Sequence, residues 1–224
     1  MDMDDWIDLR VKRREQLTVD VVMLELESAT AQALPAFEAG AYIDIRLPGG
    51  LLRPYSLCNA PQDRQRYVLA VRKERPSRGA SAYLHDRLKV GDALRVRHPR
   101  NEFPLHPSAT YSALFGGGVG IAPLLSMAAN QWHRGAGFEV HLSARNLQQA
   151  PFGNYLQMQP YRGRVHFHWS EDASGRIDFR QRFSRLSPLS HIYLCGPERY
   201  MQDAMAAAQM LCIGSDRLHF ERFA

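Results

Sequence analysis

The 224-residue chain has few cysteines, no long apolar run and no internal repeat, and each absence excludes a class. The three cysteines, Cys58, Cys195 and Cys212, lie far apart. A set this sparse and odd builds no disulfide framework and suits a reducing compartment. A common iron–sulfur cluster takes four clustered thiolates, which these cannot supply. No stretch approaches the ~18 consecutive apolar residues of a membrane-spanning helix. The acidic opening, Met1 to Asp5, lacks the apolar core of a secretory signal, so a cytoplasmic protein with no membrane partner is expected. Low-complexity and periodic segments are absent. The net charge is +5, with no solid basic block. Its densest clusters, Arg10 to Arg14 and Arg72 to Arg78, read as a solvated face or as attraction for an acidic redox partner or a phosphorylated cofactor. No RNA- or DNA-binding module accompanies that charge, so nucleic acid is not an expected partner.

What remains is globular: 45% hydrophobic residues, including three Trp, nine Tyr and ten Phe, with room for one large domain or two ordinary ones. Residues 6–100 read as strand-rich. Val19 to Glu27, Tyr42 to Leu47, Arg53 to Cys58, Tyr67 to Arg72 and Ala93 to His98 are the predicted strands, with turn residues at Pro48-Gly49-Gly50 and Val90-Gly91-Asp92. Strands this frequent predict a small antiparallel barrel. A helix running from Ser77-Arg78-Gly79-Ala80-Ser81 to Leu88 interrupts it. Its start is either an ordinary cap or a phosphate site built on free backbone N–H groups. On the Arg53 strand, Arg53 and Tyr55 point to one face and Ser56 to the other. Arg53 offers a planar fork for a phosphate, and Tyr55 an aromatic face for a heterocycle.

The prolines between Pro99 and Pro107 mark a domain junction, giving domains 1–104 and 105–224. In the second, Ala113-Leu114-Phe115 is a buried strand, Gly116 to Gly120 a glycine-rich turn, and Ile121 onward a helix with Pro123 in its first turn. Strand, glycine turn and helix present backbone N–H groups to a pyrophosphate, although the spacing is not the strict G-x-G-x-x-G. Further strands are expected at Phe138 to Leu142, Val165 to Trp169, Ile192 to Leu194 and Arg217 to Phe223. Helices are expected at Ile177 to Phe183 and Tyr200 to Leu211. This alternation predicts a parallel sheet with ligand at the carboxyl ends of its strands. His166 and His168 share one strand face without an evident third ligand, so no metal site is expected.

Several ordered motifs resemble the ferredoxin–NADP reductase superfamily. They are Arg53-Pro54-Tyr55-Ser56-Leu57-Cys58-Asn59, Gly79-Ala80-Ser81, Pro99 to Leu105, Gly116 to Pro123, Cys195-Gly196-Pro197 and His219-Phe220-Glu221-Arg222-Phe223. Within that superfamily the pattern is most like the phthalate dioxygenase reductase family, whose members add a C-terminal [2Fe-2S] domain. This sequence stops at Ala224, where that domain would begin. The reading favours a chain cut short there, and a separate ferredoxin is the alternative.

The resemblance implies an all-β flavin-binding barrel followed by an α/β nicotinamide-binding domain. It implies that Tyr55 packs on the flavin ring, that Ser56 lies near its N5, and that Arg53 with Gly79, Ala80 and Ser81 binds its phosphate. It implies FMN rather than FAD. It places a nicotinamide dinucleotide on Gly117, Gly118, Gly120 and Pro123, with Cys195, Gly196 and Pro197 beside the nicotinamide. Read without the family, Cys195 is a small buried thiol. Phe223 corresponds to an aromatic that covers the flavin, or with Phe220 closes a core, and Glu221 matches a nearby carboxylate. Ser143 and Arg145 fall where the dinucleotide ribose is read. Relatives that use NADH often carry Thr-Arg-Asp there, and Asn146 replaces the acid. NADH is expected, with NADPH the alternative.

The function implied is a reductase component of an oxygenase system. NADH reduces a bound flavin, and single electrons then pass to a [2Fe-2S] centre outside this chain that feeds a Rieske-type oxygenase. A free-standing flavin reductase and an FAD-dependent ferredoxin reductase are the enzymatic alternatives. A dinucleotide-binding module without turnover is the non-enzymatic one.

Overall fold

A computed structural model describes residues 6–74, 79–173 and 175–223. The sequence expectations for Met1 to Asp5 and for Ser77 and Arg78 fall outside them. The chain divides into two compact units, Met1–Pro104 and Leu105–Ala224.

The first unit contains β1 (Trp6–Thr18), β2 (Val21–Ser28), β3 (Tyr42–Arg46), β4 (Leu52–Ser56), β5 (Tyr67–Arg72), α1 (Ala80–Asp86) and β6 (Ala93–Arg97). Its six strands pair antiparallel in the order β4-β3-β6-β1-β2-β5. The two ends approach where Leu57 bridges Leu69 and the Cys58 N–H donates to the Val68 carbonyl at 2.8 Å, giving a barrel-like closure. Alternate residues of β2, β3 and β5 fill the interior, among them Leu24, Leu26, Ile43, Ile45, Leu69 and Val71, with Leu84 of α1 completing the cluster. Each such side chain contributes roughly 1.5–3 kcal/mol by leaving water.

The expected strand from Val19 begins instead at Val21, and Val19 lies in the turn before it. The chain ahead of that turn is the longest strand, β1, which the pattern reading missed. Register shifts between Val11 and Arg13 and between Gln16 and Thr18 break its alternation, and a run of basic residues hides the rest.

The second unit contains β7 (Tyr111–Gly117), α2 (Ile121–His133), β8 (Gly137–Ala144), α3 (Gly153–Met158), β9 (Val165–Trp169), α4 (Phe179–Phe183), β10 (Ser190–Cys195), α5 (Glu198–Met210) and β11 (Leu218–Glu221). All its strand pairs are parallel, in the order β11-β10-β7-β8-β9. From β7 the chain first builds outward to β8 and β9, then returns to place β10 on the other side. That reversal opens a crevice at the carboxyl ends of β7 and β10. Ala113, Phe115, Ile192 and Leu194 pack on Phe179, Phe183 and Ala204, Ala207 and Ala208 of α5. The short α3, in the crossover from β8 to β9, had no counterpart in the sequence reading.

At the opposite end of this sheet, His191 Nδ1 lies 2.9 Å from His219 Nε2, and the His106 ring stacks on His191 at 4.5 Å. Burial, then His191 and His106, lower the His219 pKa to about 4, and only Asp216 opposes them. Burial, His106 and Arg217 lower His191, again against Asp216, while Tyr193 stacks on His219. The unfolded chain titrates these groups near 6.5, so it binds their protons more readily than the fold does. Their stabilisation is complete above about pH 6.5 and is lost as the pH falls toward 4. The urea midpoint is expected to drop between pH 7.5 and pH 5, and the drop to be smaller in His191→Asn/His219→Asn. Equal drops in the two proteins would refute this.

Candidate functional site

In the first unit, β4 is an end strand of the sheet order and carries Arg53, Pro54, Tyr55 and Ser56. Pro54 is exposed there, where a missing N–H is tolerated. Ser56 is buried, and Tyr55 is partly buried against the barrel core. Burial pushes the Tyr55 phenol up to about 12, the Glu74 carboxylate adds to the rise, and Arg53 opposes it. The tyrosine therefore stays neutral and aromatic. Arg53 Nη1 donates to the Leu52 carbonyl at 2.8 Å, and no carboxylate pairs with its guanidinium among the described residues.

The start of α1 belongs to the same neighbourhood. The Glu74 N–H donates to the Ser81 hydroxyl at 3.1 Å, so the residue that acts on Tyr55 is tied to the first turn of the helix. Residues 53–56 and 79–81 are thus brought together through Glu74, which sequence reasoning did not single out. Gly79 has φ 106°, a conformation only glycine adopts readily, and a Cβ there would meet no described atom within 4 Å.

The second unit builds its site at the crevice between β7 and β10. β7 ends at Gly117, one 3₁₀ turn spans Gly118–Gly120, and α2 starts at Ile121 with Pro123 in its first turn. No side chain caps α2 or the 3₁₀ turn before it, and the Ile121 N–H donates back to the Gly118 and Val119 carbonyls, so the positive dipole end lies at the glycine turn itself. Gly118 has φ 55° and faces open space.

Gly120 is glycine for a different reason. A Cβ there would collide with the Cys195 carbonyl, coming within 2.5 Å of its carbon and 2.7 Å of the Gly196 nitrogen. A Cβ on Gly196 would in turn lie 3.1 Å from Gly117. The loop and the Cys195-Gly196-Pro197 turn therefore pack backbone against backbone. In register, Cys195 stands between Gly116 of β7 and Glu221 of β11. Burial, with Glu221 adding, holds its thiol far above the ordinary range, so it is a neutral, compact buried group rather than a nucleophile.

Ser143 is opposite Gly117 near the carboxyl end of β8, followed by the exposed Arg145. Asn146 is a structural residue. Its Oδ1 accepts from the Gln149 N–H at 3.0 Å, and its Nδ2 donates to Glu171 Oε2 at 2.6 Å. The Glu171 N–H also donates to the Arg145 carbonyl at 3.1 Å. A carboxylate from just beyond β9 is thus tied to Asn146, next to Arg145 in the chain, from a position the linear motif does not reveal. Phe220 and Phe223 are 45% and 47% exposed, so neither closes a core as the plainer sequence reading offered.

The family model for the oxidoreductase FAD-binding domain matches residues 8–104. A vanillate O-demethylase oxidoreductase from Acinetobacter baylyi is 36% identical over 218 residues, covering 97% of this chain and 68% of the relative. A carnitine monooxygenase reductase subunit from Escherichia coli is 35% identical over 220 residues, again covering 97% and 68%. The solved structure of a phthalate dioxygenase reductase, described as modular for electron transfer from pyridine nucleotides to [2Fe-2S], superposes with a TM-score of 0.91 at 35% identity. That match covers 98% of this chain and 68% of the other.

Proposed function

The chain belongs to the family of reductases typified by phthalate dioxygenase reductase, and on that premise we propose that NADH delivers hydride to an FMN held by the first unit. Its homologues are reductase components of oxygenase systems, and the chain is an NAD(P)H-dependent flavin oxidoreductase. Its partners are a [2Fe-2S] ferredoxin domain and a terminal oxygenase. No helix among the described residues is long and apolar enough to cross a membrane. The observation that carries the dinucleotide reading is the backbone-on-backbone packing of the Gly116–Gly120 loop against Cys195–Pro197, at the crevice where an α/β sheet binds nucleotides.

When bound, the flavin supplies the step from two-electron hydride chemistry to one-electron transfer. The chain's own residues bind and orient. Arg53 pairs with the flavin phosphate, with Gly79, Ala80 and Ser81 framing it, and Tyr55 offers a neutral ring for stacking. Ser56 is assigned to the flavin N5 region. Gly117, Gly118, Gly120 and Pro123 take the pyrophosphate on backbone N–H groups. Cys195, Gly196 and Pro197 line the nicotinamide pocket, Glu221 stands beside the thiol, and Phe223 offers an exposed aromatic face. Hydride transfer needs no general acid or base, and none is assigned.

The FMN assignment is supported by the resemblance to phthalate dioxygenase reductase. It is tested by acid release of the flavin and its identification by chromatography. FMN is the expected product, and FAD would transfer the assignment to the FAD-dependent alternative.

Glu171 supports NADH over NADPH. Its carboxylate accepts from Asn146, the residue after Arg145, so a 2′-phosphate held by Arg145 would meet a negative charge nearby. Repulsion on the order of 1–2 kcal/mol at such an exposed position is worth about 5- to 30-fold. Glu171→Gln is expected to raise the NADPH/NADH ratio of kcat/KM by that factor, and an unchanged ratio would remove Glu171 from the specificity site.

A further inference from the structure

We propose that Glu139, His141 and His166 form a binding site for a divalent metal ion of the zinc type. Glu139 and His141 are alternate residues of β8, and His166 and His168 are alternate residues of β9, so each pair shares a face. The parallel register sets His141 beside His166. One donor atom from each of Glu139, His141 and His166 lies within 4.8 Å of the others. Glu139 Oε1 is 3.1 Å from His141 Nε2, and Glu139 Oε2 is 3.9 Å from His166 Nε2. Ligand atoms around a tetrahedral zinc, with bonds of about 2.0–2.2 Å, stand roughly 3.3–3.6 Å apart.

His141 is the anchor. Its side chain is 1% exposed, and its buried Nε2 faces Glu139 Oε1 directly at 3.1 Å. An ion between the two would replace that contact with two bonds to metal. The other nitrogen, Nδ1, lies 2.9 Å from His168 Nε2. With the Nδ1 proton donated to His168, the Nε2 lone pair faces the ion, as the outer shell of a histidine–metal site requires. Phe115 stacks on the His141 ring at 4.3 Å, and the Tyr111 hydroxyl donates to Glu139 Oε2 at 3.3 Å. Two ligands are thus held in place.

The third must move. The His141 and His166 rings are stacked 4.7 Å apart at 20°, and the in-plane lone pairs of parallel rings do not converge. His166 is 40% exposed at the rim and can turn inward. A cleft of about 270 Å³, lined by Tyr111, Glu139, Arg164 and His166, gives an ion access to the carboxylate and to the rim histidine. Arg164, the adverse charge on that cleft, is bonded to the Ala136 carbonyl at 2.9 Å and lies over the Phe138 ring.

Two imidazoles and one carboxylate select zinc and its transition-metal neighbours over calcium and magnesium, which prefer oxygen ligands. Glu139 precedes Ser143 by four residues of β8, roughly 13 Å at about 3.3 Å per residue. The ion would clamp β9 to β8 and take no part in hydride transfer.

Calorimetric titration of the full chain with Zn²⁺ tests this. One saturable equivalent is expected, with a rise in Tm that EDTA reverses and that Ca²⁺ and Mg²⁺ do not produce. His166→Ala, a rim change that leaves NADH oxidation in metal-free buffer unaltered, is expected to abolish that equivalent. His168→Asn is expected to weaken it about 10- to 100-fold. His219→Asn, at the other histidine cluster, retains it. A wild-type chain that takes up no equivalent, or a His166→Ala chain that takes up the same one, overturns the proposal.

Discussion

Gly120→Ala is expected to slow NADH-dependent reduction of the flavin about 100-fold while leaving the flavin bound. The added methyl has nowhere to go, because the atoms it meets are the Cys195 carbonyl and the Gly196 nitrogen, both backbone. A flexible side chain can swing aside, but a strand end held between β7 and β11 cannot. Relief requires the glycine loop to lift from the Cys195–Pro197 turn, which moves the backbone N–H groups of the glycine turn out of register with a pyrophosphate. Overpacking of this kind costs typically about 1–3 kcal/mol of stability. The larger loss is in function, since a misplacement of ~1 Å can cost about 100-fold in rate. Two readouts separate the effects. Flavin fluorescence on release reports the first unit, and the NADH concentration dependence of flavin reduction reports the second. Gly118→Ala is the informative companion. Its Cβ meets open space, so its penalty comes from φ 55° alone, and a milder defect is expected.

Arg53→Ala is expected to weaken flavin binding about 10- to 150-fold, equivalent to the roughly 1.5–3 kcal/mol of hydrogen bonds to a charged group. The guanidinium lies on the strand face of Tyr55, lowers the pKa of that phenol, and pairs with no carboxylate among the described residues. Arg53→Lys keeps the charge but loses the planar fork, so an intermediate affinity is expected. Thermal unfolding should change little, because Arg53 is on an end strand and its one hydrogen bond among the described residues is to the neighbouring Leu52 carbonyl. Equilibrium titration of the flavin-free variants with FMN makes the measurement. Wild-type affinity in Arg53→Ala would remove this residue from the phosphate site.

The contiguous parts of the fold were legible in the sequence, and the parts that depend on register were not. Strand β7, the glycine turn and α2 are consecutive, so hydrophobic pattern, glycines and Pro123 report them together. Arg53 and Tyr55 are two residues apart, and strand geometry alone puts them on one face. Strand β1 escaped because its bulges at Val11–Arg13 and Gln16–Thr18 interrupt the period of two. Glu74 and Glu171 escaped because their roles are set across space. One joins the site through a backbone bond to Ser81, and the other through Asn146. The same holds for His141 beside His166. The sequence shows two histidines on one strand, but the neighbour that completes the group comes from β8, and only the pairing of the two strands reveals it.

The account rests on one chain binding both a flavin and a reduced nicotinamide so that hydride passes between them. The direct test is the visible spectrum of the purified chain, recorded anaerobically before and after one equivalent of NADH. A yellow protein is expected, with absorption near ~450 nm that bleaches on mixing and recovers when a one-electron acceptor is added. A chain that takes up neither FMN nor FAD, or whose bound flavin keeps its spectrum under NADH and NADPH alike, would contradict it.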